Sequence, residues 1–137
     1  MALVDTTVWI DLLRGGETAA VSVLRRLLAE GQAVTAPVIV QEILQGASSP
    51  ASLQRLREHF LALPMVETAP RGQTHAAAGE LYARCRWQGI TPRSPHDCLI
   101  AQLAMEHEIP LLHDDRDFEA LARVDARLKL VSVAPPS

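Results

Sequence analysis

Residues 109–118 read I-P-L-L-H-D-D-R-D-F. An apolar run of strand length, residues 109–112, breaks off into His113 and three aspartates, Asp114, Asp115 and Asp117. Continuous apolar runs of this kind mark strands buried on both faces, as in a parallel sheet. The same pattern stands at the start of the chain, where Ala2-Leu3-Val4 runs directly into Asp5. If both runs are strands of one parallel sheet, their carboxyl ends lie at one edge. Asp5 and the aspartates after Leu112 then face each other there.

Working outward, strands are expected at 2–4, 33–35, 65–67, 109–112 and 128–133. Helices are expected at 8–14, 18–30, 37–47, from 49 onward, at 71–87, 94–108 and 117–124. Gly15-Gly16, Gly31 and Gly89 stand where helix ends want glycine. Pro37 suits a first helical position. The 18–30 helix carries Val21, Leu24, Leu27 and Leu28 on one face, and the helix from 49 carries Leu53, Leu56, Phe60 and Leu61. Short apolar strands alternating with helices indicate an α/β fold with a mainly parallel sheet. In such sheets, sites form beyond the carboxyl ends of the strands.

The chain of 137 residues fits one domain, read as 1–133 with a Pro-rich tail at 134–137. At 48% hydrophobic but 4% aromatic residues, its core must be largely aliphatic. A net charge of −3 excludes a simple basic nucleic-acid-binding patch, but not a nuclease. Five candidate site acids account for more than that total, and without them the chain would carry +2. Lys129 is the only lysine, so the positive charge is almost wholly arginine. Cys85 and Cys98 have neither metal-site nor disulfide-framework spacing, which suits a reducing cytoplasm. Neither a signal peptide nor a membrane span is expected.

Four acids stand out. Asp5 and Asp115 follow strands, and each can also cap the next helix. Glu42 shares a helix face with Val38 and Ile39, and a carboxylate there needs a partner, a proton or a metal. Asp97, in Ser94-Pro95-His96-Asp97, fits a capping box but also precedes the apolar entry Cys98-Leu99-Ile100-Ala101. Four carboxylates about 5 Å apart repel by roughly 3 kcal/mol per pair at an effective dielectric of about 20. The sum, on the order of 20 kcal/mol, exceeds the ordinary stability of a domain. Such a cluster calls for protons or a cation, and oxygen ligands favour Mg²⁺ or Mn²⁺ over Zn²⁺. The chemistry this points to is metal-assisted phosphodiester hydrolysis.

Four blocks carry a family resemblance: M-A-L-V-D-T-T-V-W-I-D-L-L, P-V-I-V-Q-E-I-L-Q-G, S-P-H-D-C-L-I-A-Q-L-A and L-L-H-D-D-R-D-F. In order and spacing they resemble the PIN domain, in particular the VapC-type toxins of bacterial toxin–antitoxin modules. The resemblance spans essentially the whole chain. It implies a three-layer α/β/α sandwich and a Mg²⁺- or Mn²⁺-dependent endoribonuclease. Its acidic site would be Asp5, Glu42, Asp97 and Asp115, with Asp117 as an additional acid and Thr7 supporting Asp5. The metal ligands are read as Asp5, Asp97 and Asp115, with Glu42 either on the attacking water or joining a second metal. The resemblance also implies a homodimer, inhibition by a VapB-type antitoxin, and contact with operator DNA only through that antitoxin.

Arg93 and Arg116 are candidates for holding RNA phosphates. Asp114 receives no role, and His96 and His113 are read first as surface or strand-end histidines. Trp9 and Trp87 are candidates for either the core or a partner surface. Three rival readings are a haloacid-dehalogenase-like phosphatase, a non-catalytic cation- or partner-binding module, and a DNA-directed nuclease. The first wants an aspartate two residues after Asp5, where Thr7 stands. The last lacks an obvious DNA-binding segment.

Overall fold

The computed structural model describes residues 1–133; the expected tail at 134–137 lies outside them. The sheet is built on β1 (Ala2–Val4), flanked by β2 (Ala33–Val34) and β3 (Leu111–Leu112), all parallel, in the order β2-β1-β3. Leu3 is in register with Val34 on one side and Leu111 on the other. Every residue of these strands is buried, as their unbroken apolar character requires. Single parallel bridges, Thr35 to Met65 and Leu111 to Leu130, extend the sheet by one chain at each edge.

The expected strands at 65–67 and 128–133 are therefore reduced to one bridge each. At the first, Thr35 N–H donates to Pro64 and Val66 N–H donates to Thr35 before the chain leaves the edge. At the second, β3 stops at Leu112, so Leu111 alone exchanges bonds with Lys129 and Val131.

Among the described residues seven α-helices cover the sheet: α1 (Thr6–Leu13), α2 (Ala19–Ala29), α3 (Pro37–Gln45), α4 (Pro50–Leu61), α5 (Gln73–Trp87), α6 (Pro95–Glu106) and α7 (Arg116–Val124). From β1 the chain moves through β2 to Met65 in one direction, then returns past β1 to β3 and Leu130. Right-handed crossovers put helices of the outward path on one face and those of the return path on the other. The packing agrees, with α1 on α2 and α3, α3 on α4, and α5, α6 and α7 on one another. The switch of direction falls between β1 and β3, where a crevice opens beyond the strand ends.

Helix α6 is buried on all sides from Cys98 to Met105, a stretch apolar but for Gln102. Its Gln102 donates to Glu106, which accepts the Thr74 hydroxyl at 2.7 Å. Trp9 belongs to the core, edge-on to Phe60 with centroids 4.9 Å apart. Trp87, at 80% exposure, does not. On α4 only Phe60 of the expected stripe is buried; Leu56 is partly covered, and Leu53 and Leu61 are exposed. The helix expected at 71–87 begins instead at Gln73, after a 3-10 turn (Pro70–Gly72). Arg71 and Gly72 there take positive φ and break the helical path.

Candidate active site

A cleft of about 1190 Å³ lies beyond the carboxyl ends of β1 and β3. It is lined by Asp5, Glu42, Asp97, Asp115 and Asp117, drawn from four separate stretches of chain. Each is delivered by a local structural rule. Asp5 ends β1 and caps α1, accepting from the Thr7 N–H at 3.3 Å. Its own N–H donates to Leu112 O, which ties the ends of β1 and β3 together. Asp115 caps α7 in the same way, accepting from the Asp117 N–H at 2.9 Å, while its N–H donates to His113 Nδ1. Capping and membership of the cleft are thus not alternatives: one oxygen holds the helix and the carboxylate still faces the crevice.

Glu42 projects from α3 and accepts the Thr6 hydroxyl at 3.1 Å, with His96 Nδ1 3.8 Å from its other oxygen. Thr6 is the site residue that sequence reasoning missed. Thr7 supplies its backbone N–H to Asp5, while the neighbouring buried threonine reaches across to a second site acid. A hydroxyl residue beside the first aspartate was the available signal, but the sequence does not say which of two adjacent threonines faces Glu42. Asp97 is not part of a capping box. Ser94 Oγ accepts from the His96 N–H, which leaves the Asp97 carboxylate to line the cleft.

Carboxylate oxygens of Asp97, Asp115 and Asp117 lie within 4.8 Å of one another. Asp117 thus belongs to the same tight group of oxygens as Asp97 and Asp115. Burial, then the negative charge of Asp5, Asp115, Asp117 and Glu42, pushes the Asp97 carboxyl up to about 7. Burial, opposed by the Thr7 and Thr6 N–H groups and reinforced by Glu42, pushes Asp5 up to about 6. Arg93 sits against two of the acids. Its Nη2 is 2.7 Å from both Asp115 oxygens, and its Nε and backbone N–H both donate to Asp117 Oδ2. Arg116 and Asp114 are exposed and line the same cleft.

The donor set fits a hard divalent cation. It offers several carboxylate oxygens at ligand-sharing distance, two carboxyls that resist ionising without a counter-charge, and no thiolate. Asp97, Asp115 and Asp117 are the acids placed to share such an ion. Asp5 lines the same cleft and is the charge that acts most strongly on Asp97.

Among the described residues no helix is long and apolar enough to cross a membrane. The PIN domain family model matches residues 2–124. The chain is 40% identical over 127 residues to the VapC ribonuclease Mb1587 of Mycobacterium bovis and to ribonuclease VapC11 of Mycobacterium tuberculosis. These matches cover 90% of this chain and 93% of each relative. Its fold is similar to that in a toxin–antitoxin complex from Klebsiella pneumoniae, at TM-score 0.72 and 18% identity over 99% of this chain and 100% of that one. It is also similar to that in VapBC2 from Rickettsia felis bound to a promoter DNA fragment, at TM-score 0.73 and 17% identity over 95% and 96%. With the family's pattern matched from the first strand to the last helix, and with close relatives along nearly its whole length, this chain belongs to the PIN-domain family, in its VapC branch.

Proposed function

We propose that this protein is a Mg²⁺- or Mn²⁺-dependent endoribonuclease, the toxin of a toxin–antitoxin pair, held inactive by a VapB-type antitoxin. The observation that carries the chemistry is the convergence of Asp5, Glu42, Asp97, Asp115 and Asp117 on one cleft at the switch point of the sheet. The choice of RNA rests on the relatives named as ribonucleases. The antitoxin rests on membership of the VapC branch, and the toxin–antitoxin complexes among the fold neighbours support it. A homodimer, with operator DNA contacted through the antitoxin, belongs to the same reading.

Asp97, Asp115 and Asp117, with Asp5 beside them, would hold the cation. Such an ion, when bound, supplies charge neutralisation at the phosphodiester and acidifies water. Glu42 orients the attacking water and takes its proton, and the Thr6 hydroxyl keeps that carboxylate in place. In-line attack on phosphorus with departure of the 3′ oxygen leaves a 5′-phosphate and a 3′-hydroxyl, and the substrate 2′-hydroxyl is not consumed. Arg116, exposed at the cleft, would pair with a backbone phosphate.

The test is incubation of purified protein with structured RNA in Mg²⁺, in EDTA, and with Asp97→Asn, followed by end-group analysis. Cleavage is expected only for the unsubstituted protein in Mg²⁺. Cutting that persists in EDTA or in Asp97→Asn, or 2′,3′-cyclic phosphate ends, would overturn the mechanism.

A further inference from the structure

Arg93 approaches the acids in an unusual way for a surface arginine. Its side chain is 75% exposed, yet its guanidinium is directed at two of the site acids. One guanidinium nitrogen is 2.7 Å from both oxygens of Asp115, and a second is 3.2 Å from Asp117. These are two of the three carboxylates whose oxygens cluster within 4.8 Å. Its backbone N–H separately donates to the same Asp117 oxygen at 3.1 Å. That second bond pins the loop between α5 and α6 to the first turn of α7, whatever the side chain does.

We propose that Arg93 is a tethered counter-cation of the acid cluster, competing with the divalent ion for the same carboxylates. The inference rests on the metal reading above and concerns how the ion gains entry. A guanidinium cannot lose its charge and offers no acceptor, so it can only compete with a second cation. Both Asp115 oxygens accept from it, and a divalent ion sharing Asp97, Asp115 and Asp117 would need at least one of them. The long exposed stem lets the head group swing into solvent while the backbone bond to Asp117 holds the loop. Without an ion, Arg93 offsets part of the negative charge that Asp115 and Asp117 carry. When an ion arrives, the guanidinium is released at the cleft rim, and one side chain serves two opposed situations.

The competition should be modest, because an exposed ion pair is screened by water and costs side-chain order. Binding of Mn²⁺ alone, measured by calorimetry without RNA, is compared in the unsubstituted protein, Arg93→Ala and Arg93→Lys, with Asp97→Asn as the site control. Arg93→Ala is expected to bind about 3- to 10-fold more tightly, as befits a screened pair. Arg93→Lys should fall between, since it keeps the charge but loses the forked contact. A second measurement needs no variant to fold well. The Arg93 Nε–Hε proton of the unsubstituted protein should be protected from exchange in EDTA and lose that protection on adding Mg²⁺. Equal or weaker Mn²⁺ binding by Arg93→Ala, or an Nε–Hε proton indifferent to Mg²⁺, would overturn the proposal and leave the metal reading intact. Absence of Mn²⁺ binding in every variant would overturn both.

Discussion

Replacing Asp97 by asparagine should abolish cleavage and, without metal, make the protein more stable. Three carboxylates with oxygens within 4.8 Å repel by about 3.5 kcal/mol or more per pair at an effective dielectric of about 20. Arg93 relieves Asp115 and Asp117, but none of its hydrogen bonds reaches Asp97. The Asp97 carboxyl is raised from 3.8 to about 7, which taken at face value is about 4 kcal/mol against ionisation. The side chain is only partly buried, and solvent screening cuts this to about 1–2 kcal/mol. Asparagine also loses a first-turn charge on α6, a helix-dipole cost of about 0.3–1 kcal/mol, which is smaller.

The net gain, on the order of 1 kcal/mol, corresponds to about 3–5 °C in Tm for a chain this size. Thermal unfolding in EDTA at pH 8 and pH 5, with and without Mg²⁺, reads this directly. At pH 8 the variant should melt above the unsubstituted protein; at pH 5 the gap should narrow by more than half, and it should close only near pH 4, where the unfolded carboxyl is protonated too. Mg²⁺ should raise the melting temperature of the unsubstituted protein far more than that of the variant. A variant that melts at or below the unsubstituted protein at pH 8 in EDTA would refute the claim that this carboxylate is held against its own electrostatics.

Other outcomes follow from the same contacts. The metal-free, unsubstituted protein should lose stability as pH rises from about 4 through 7. Asp5 and Asp97 hold their protons more tightly folded than unfolded, so what they contribute below pH 4 is lost as they ionise through about 6 and about 7; a flat profile in EDTA would contradict this. Thr6→Val, which removes the donor to Glu42, should lower the cleavage rate about 10- to 100-fold, the worth of one hydrogen bond to a charged group, with Tm nearly unchanged. Phe60→Ala deletes the buried anchor of α4 and its edge contact with Trp9. It should cost about 3 kcal/mol in denaturant unfolding and speed amide exchange in α4 first. Asp125→Asn, at a buried position paired with Arg84 and Arg127 outside the cleft, should cost about 1–2 kcal/mol of stability while sparing cleavage per folded molecule.

Much of the fold was legible because the strands are short and continuously apolar, and because Gly and Pro punctuate the helices. The switch in chain direction that opens the crevice follows from handedness once the strands are placed. What could not be read was how far each strand pairs. The segments around Met65 and Leu130 look like β1 in composition, but pairing length is decided by where the neighbouring strand turns away. The stripe on α4 failed for a related reason: periodicity gives a face but not what covers it, and Leu53 and Leu61 are left exposed. At the site, the acids expected from the sequence do line one cleft. Their partners were not legible, because the bond from Thr6 to Glu42 spans 36 residues and the contact of Arg93 with Asp115 spans 22. Such links depend on tertiary placement that no local pattern encodes.

The register that sets Leu3 against Leu111 joins residues roughly a hundred positions apart. Asp5 is synthesised long before the wall opposite it. Early chain can pair β1 with β2, but the crevice between β1 and β3 has no second side until β3 has been made. Contacts of such long range form late, after the entropy of closing the intervening loop has been met. A chain that stops before β3 therefore carries Asp5 and Glu42 without the acids of the opposite wall, and the cluster can assemble only after the return path of the chain has been laid down.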